Sequence, residues 1–243
     1  MGTIRSIIIV ALSVAFCSYA NSTTFTFASI EKLPEQVISA RVMTAIYDEL
    51  GYGLVVKEMP GLRAQESANS GSVDGEIARI FAYGEQTPNV IRVPTPYYSL
   101  KTVAYSIDGS SIKVANKDDL NRYKSVIVRG VKHTDKITQD VDPKKVKVMD
   151  NAEAMMKFLH KGRAQLALTN PLNGSLTLQK LGYTNIDLAG PPLATLDLYH
   201  YIHKDKAELV PIIDKKIIEM RDNGKLQKLL EKTEADVLNN WFN

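Results

Sequence analysis

The chain has 243 residues, 44% of them hydrophobic and 23% charged, an ordinary globular composition that is enough for one large domain or two small ones. Its net charge of +3 is too weak to point to nucleic acid. One cysteine, Cys17, excludes an internal disulfide.

Residues 1–20 read as a cleavable secretory leader. Arg5 supplies the basic start and residues 7–16 the apolar run. Ser18-Tyr19-Ala20 puts small residues where a signal peptidase reads them. The apolar run is too short to span a bilayer, and Phe16 is too bulky to precede a lipidated Cys17. Cleavage after Ala20 is expected to leave a cysteine-free mature chain, which suits a bacterial periplasm better than an exported eukaryotic protein of this size.

Residues 24–28 (TFTFA) predict a buried strand. A helix follows over about 35–50, with Ile38, Val42, Ile46 and Leu50 recurring every four residues until Gly51 stops it. Residues 53–58 form the next strand, 61–70 a short helix ended by Gly71, and 75–80 a third strand. The same order restarts at 125–129 (SVIVR), then 145–149, then a helix over 151–161 with Asn151 as its N-cap. Gly162 ends that helix before a strand over 165–169. Gly71-x-x-Asp74 and Gly162-x-x-Gln165 thus occupy equivalent places, each glycine offering a left-handed cap that turns the chain into a parallel strand. A strand over 198–203 and two amphipathic helices, about 207–221 and 225–242, complete the chain. The apolar faces of these last helices must pack on something, most simply back on the first lobe.

Helices alternating with single buried strands predict an α/β fold, and the repeated order predicts a two-lobed clamshell with a mostly parallel sheet in each lobe. Residues 21–107 form the first lobe, 108–194 the second, and 195–243 return to the first. The crossings are expected in 106–116 and around Gly190-Pro191-Pro192. Ligands of open parallel sheets sit beyond the carboxyl ends of the strands, so two lobes place a cleft there that can close by a hinge.

Ser29, Arg79, Arg129 and Thr169-Asn170 stand at such strand ends. Arg79 ends an otherwise apolar strand and is expected in the cleft, whereas Glu76 of the same strand is expected to face solvent. Arg63 follows Pro60-Gly61 at a helix start, an unfavourable place for a cation without an anion beside it; ligand contact and a solvated face stand level. Arg129-Gly130 is either an anion-binding strand end or a tight turn. Tyr97, after Pro96, is a cleft wall or a core residue. Thr169 and Asn170 hold ligand or cap the helix that follows Pro171. His133 belongs to the cleft or to the surface.

Four stretches carry a family resemblance: ANSGSVDGEIARI (68–80), PNVIRVPTPYY (88–98), DDLNRYKSVIVRGVKH (118–133) and AMMKFLHKGRAQLALTNP (154–171). In order and spacing they resemble the bacterial extracellular solute-binding proteins of family 3, the periplasmic receptors for polar amino acids and related solutes. The resemblance implies a monomeric clamshell that delivers a solute to an inner-membrane ABC permease, or a sensor on the same fold that docks on a signalling partner. It also implies an acid-arginine pair upstream of the Pro-Tyr for an α-carboxylate, where this chain has Glu85-Gln86, and an aspartate for an α-ammonium, where it has Thr169-Asn170. Neither amino-acid anchor is present.

No hydrolase, metalloprotease or phosphate-loop motif occurs, so no enzyme, cofactor or metal is expected. His200 and His203, three apart on a strand, point to opposite faces and make a poor metal pair. A dehydratase on this fold would need Glu76 or Glu85 aimed into the cleft. The residues instead suggest a clamp in which Arg79 and Arg129, from opposite lobes, close on a small polar or anionic solute.

Overall fold

Strand β1 (Thr24–Ile30) buries Phe25, Phe27 and Ala28 at the centre of the first lobe. The computed structural model describes residues 23–31 and 33–241; the expected leader, the mature start at Asn21 and the last turn at Phe242 lie outside them. Helix α1 (Pro34–Glu49) begins with Pro34, where the missing N–H leaves no bond unmade. Its Ile38, Val42 and Ile46 are fully buried against β1. β2 (Gly53–Met59), α2 (Gly61–Asn69) and β3 (Gly75–Ile80) follow, with β2 and β3 parallel to β1 on either side. Gly71 and Gly162 adopt φ of +75° and +66°, the left-handed turns their positions require.

After a 3-10 turn (Phe81–Gln86) and β4 (Val90–Arg92), the ten-residue β5 (Tyr98–Ile107) leaves the first lobe. The second lobe holds β6 (Ser125–Val128), α3 (Lys132–Thr138), β7 (Val146–Met149), α4 (Ala152–His160), β8 (Leu166–Thr169), α5 (Pro171–Leu181) and β9 (Ile186–Leu188). β10 (Ala194–His203) returns, and α6 (Leu209–Asp222) and α7 (Lys225–Asn240) end the described chain. Leu209, Ile213, Ile217 and Met220 of α6 and Leu226 and Val237 of α7 join the core under β1 and α1. Lys216 and Lys225 reach Glu49 at the last turn of α1 from these two helices.

The sheets are mixed, where mostly parallel ones were expected. β1, β2 and β3 are parallel, as are β6, β7 and β8, but β10 runs antiparallel to β3, β4 and β5, and β5 antiparallel to β8 and β9. The two crossing strands cause this, because each serves both lobes. Residues 98–102 of β5 pair with β10 and residues 103–105 with β8. Leu193 N donates to Thr102 O at 2.8 Å on the return. The chain therefore crosses near 102–103 and 193–194, and the backbone ladder runs unbroken from lobe to lobe. The segment 106–116, expected to cross, already lies on the second lobe, where β5 pairs with β9.

Candidate functional site

A cavity of about 600 Å³ opens at the carboxyl ends of β1 and β3. Gln36 sets its geometry: its Oε1 accepts from Ser29 Oγ at 3.1 Å and Ile30 N at 3.3 Å, and its Nε2 donates to Ala78 O at 3.0 Å. One side chain at the start of α1 thus ties both strand ends together. Ile30, Leu33, Ala78, Ile80, Leu196 and Leu198 make most of the wall apolar. The second lobe contributes His133, whose Nδ1 lies 2.8 Å from Thr102 Oγ1 on the crossing strand. Burial pulls the His133 pKa down, which favours the neutral ring.

Arg79 lines the cavity, but it is not a free cation. Its Nε meets Glu76 Oε2 at 2.5 Å, its Nη2 donates to Gly61 O at 2.8 Å, and its guanidinium lies 4.8 Å from the centre of the Tyr83 ring. Tyr83 donates its hydroxyl to the other oxygen of Glu76. Glu76, expected to face solvent, is 1% exposed. The reason is a bulge. Between the pairs Tyr199–Arg79 and Tyr201–Glu76 the register shifts, so β3 advances three residues where β10 advances two. The extra residue brings Glu76 and Arg79 to one face, which strict alternation forbids. Burial pushes the Glu76 carboxyl up, opposed by Arg79 and Tyr83; hydrogen-bonded on both oxygens, it serves as the counter-ion of Arg79.

The other expected contacts lie elsewhere. Ser29 is buried behind Gln36. Arg63 is exposed on α2, away from the cavity wall. Tyr97 is a core residue whose hydroxyl donates to Ile77 O at 2.9 Å. Arg129 is exposed and paired at 3.3 Å with an exposed Asp150; its backbone N–H still bonds Met149 O of β7 at 2.8 Å, and its side chain points to solvent. Gly130, at φ +75°, has open space around it and makes the tight turn. Thr169 is buried opposite Val103. Asn170 caps α5, its Oδ1 accepting from Asn173 N at 2.7 Å, beside a separate 200 Å³ hollow between β5, α5 and α7. The two-arginine clamp is therefore not assembled: Arg79 reaches the cavity, already paired, and Arg129 does not.

Sequence reasoning passed over Glu35, Gln36 and Tyr83. Glu35 is 8% exposed and lines the cavity from the first turn of α1. An acid there reads as a partner of the helix dipole. The available signal was its neighbourhood, Leu33-Pro34 before it and Val37 after the amide Gln36. Among the described residues no cluster of histidine, cysteine, aspartate or glutamate could hold a metal, and no helix is long and apolar enough to cross a membrane.

Three comparisons bear on this geometry. A family model described as bacterial extracellular solute-binding proteins, family 3, matches residues 36–233. An uncharacterized protein of Shewanella oneidensis is 25% identical over 238 residues, covering 93% of this chain and 88% of its own. Among solved structures, the probable amino-acid ABC transporter extracellular-binding protein ytmK of Bacillus subtilis superposes with a TM-score of 0.69 at 17% identity, over 87% of this chain and 98% of its own. A histidine kinase sensor domain with similarity to periplasmic binding proteins gives 0.62 at 13% identity, over 87% and 95%.

Proposed function

We propose, from the premise that this chain belongs to the bacterial extracellular solute-binding proteins of family 3, that it captures a small solute in the periplasm and delivers it to an inner-membrane ABC importer. The observation that carries the reading is the cavity at the ends of β1 and β3, roofed by His133 from the other lobe. A solute there touches both lobes, so it favours the arrangement in which they approach, the condition for ligand-driven closure. Arg79, Gln36 and His133 are the proposed polar contacts. No catalytic role is assigned: Glu76 is held by Arg79 and Tyr83, and Glu85 is exposed.

A thermal-shift screen of amines, amino acids, organic acids and short peptides tests the reading. At a concentration of about 100 times Kd a ligand adds roughly 2.7 kcal/mol, worth several degrees for a chain of this size. Failure of every solute class to shift the transition would overturn it. Structural similarity to a kinase sensor domain supports a second reading, a sensing subunit on the same clamshell. Uptake of the identified solute separates the two: deleting the gene abolishes uptake for a transport receptor and leaves it intact for a sensor.

A further inference from the structure

One carboxyl on the cavity wall has an oxygen that no donor among the described residues answers. Arg79 and Glu76 neutralise each other at 2.5 Å. His133 faces the same space from α3, and burial favours its uncharged ring. Tyr98, close enough to Glu35 to feel its charge, is itself held neutral by burial. Tyr83 on the wall is occupied by Glu76, and the remaining ionisable group there is Glu35. Its Oε2 is buried and meets no hydrogen-bond donor from the described protein, and the side chain is 8% exposed. Burial pushes its pKa up, opposed by a hydrogen bond from its own backbone N–H, and a buried carboxyl oxygen left without a donor is costly.

We infer, resting on the reading of this cavity as the solute site, that its ligand is an organic monocation: an amine on an apolar body, without a carboxylate, whose ammonium donates to Glu35. An ammonium brings the missing donors and the balancing charge together, and the charge-assisted bond is about twice as strong as a neutral one. Leu196, Leu198, Ile30 and Ile80 supply apolar wall for the rest of the molecule. A carboxylate has no comparable place. It would have to approach Arg79, whose charge Glu76 already answers, whose Nη2 serves Gly61 and whose face lies over Tyr83. An α-amino acid therefore carries one group the site matches and one it repels.

Two matched series test this by titration calorimetry at pH 7. The first is 2-phenylethylamine, 2-phenylethanol, phenylalanine and 3-phenylpropanoate; the second is 3-methylbutylamine, 3-methylbutanol, leucine and 4-methylpentanoate. Within a series the body is constant and the charge changes. The amine is expected to bind at least about tenfold more tightly than its three relatives, and Glu35→Gln to remove that margin. Equal or tighter binding of the zwitterion, the anion or the alcohol would overturn the inference, as would a margin that survives Glu35→Gln. The wild-type series decides the charge class by itself, so the inference stays testable should the variant fail to fold. Absence of binding by every probe overturns it too. If the wider solute screen then finds a ligand of another class, the receptor reading stands without it; if that screen is also empty, both fall.

Discussion

His200 sits wholly inside the first lobe, its ring 4.5 Å from that of Phe27. Its Nδ1 lies 3.2 Å from Ile77 O, which can only accept, so Nδ1 carries the hydrogen and Nε2 accepts a hydrogen bond from the Tyr47 hydroxyl at 3.0 Å. The imidazolium has no place in this arrangement, and burial pushes the pKa down to about 4. In the unfolded chain it returns to about 6.5. Because the folded value is the lower one, the stabilisation is fully present above about pH 6.5 and is lost as pH falls toward 4. Between pH 7 and 5 the loss should be about 2 kcal/mol. His133 adds to it with the same sign, whereas Glu35 and Glu76, raised by burial, act in the opposite direction. Urea midpoints at pH 7, 6 and 5 should fall more steeply for the wild type than for His200→Gln; equal slopes would refute the assignment. At this scale the sequence was legible where a residue's neighbours determine its state and illegible where distant ones do. Arg79 could be placed near the cleft from its strand. Its pairing with Glu76 depends on a register shift against β10, more than a hundred residues away.

Beside that shift lies a position that leaves no room for a side chain. Gly75, the first residue of β3, has φ +146°, and a Cβ there would lie 2.0 Å from Tyr201 O. The obstacle is backbone of the neighbouring strand and cannot rotate away. Gly75→Ala should therefore cost about 3 kcal/mol or more through conformational strain and overlap together. An unchanged urea midpoint would contradict the close approach of β3 and β10. Helices α1 and α4 could be read from residues spaced four apart and from the Asn151 cap, whose Oδ1 accepts from Ala154 N at 2.8 Å. The crossing strands could not be read so. β5 passes from half-exposed residues 98–101 to buried residues 102–106, and β10 passes from half-buried and exposed residues 194–197 to mostly buried residues 198–203. Neither carries a single period, because each changes surroundings midway.

At the scale of the molecule the lobes are held by more than two strands. Leu172 and Leu176 of α5, a second-lobe helix, lie in the first lobe's core with α1, α6 and α7. The second lobe has apolar clusters of its own on both faces of its sheet, and their buried members fall between Val103 and Ala189. The first lobe has no such continuity. β10 lies between β3 and β5, hydrogen-bonded to both, yet it is the last strand among the described residues. Polypeptides are made from the amino end, so this fold is completed inside out. The later-beginning lobe has all its strands once Leu188 and the following turn have emerged, while the earlier one must wait for residue 203 and for α6 and α7. The fragment 98–193 should accordingly give a cooperative urea transition alone, whereas 23–193 should show amide protection over 103–189 and little over 24–80. Native protection of β1 to β3 in that truncated chain would show that the first lobe does not depend on its final strand. Until then its half-formed sheet presents the open edge of β3, so the time spent awaiting the last fifth of the chain is when this protein is most exposed to aggregation.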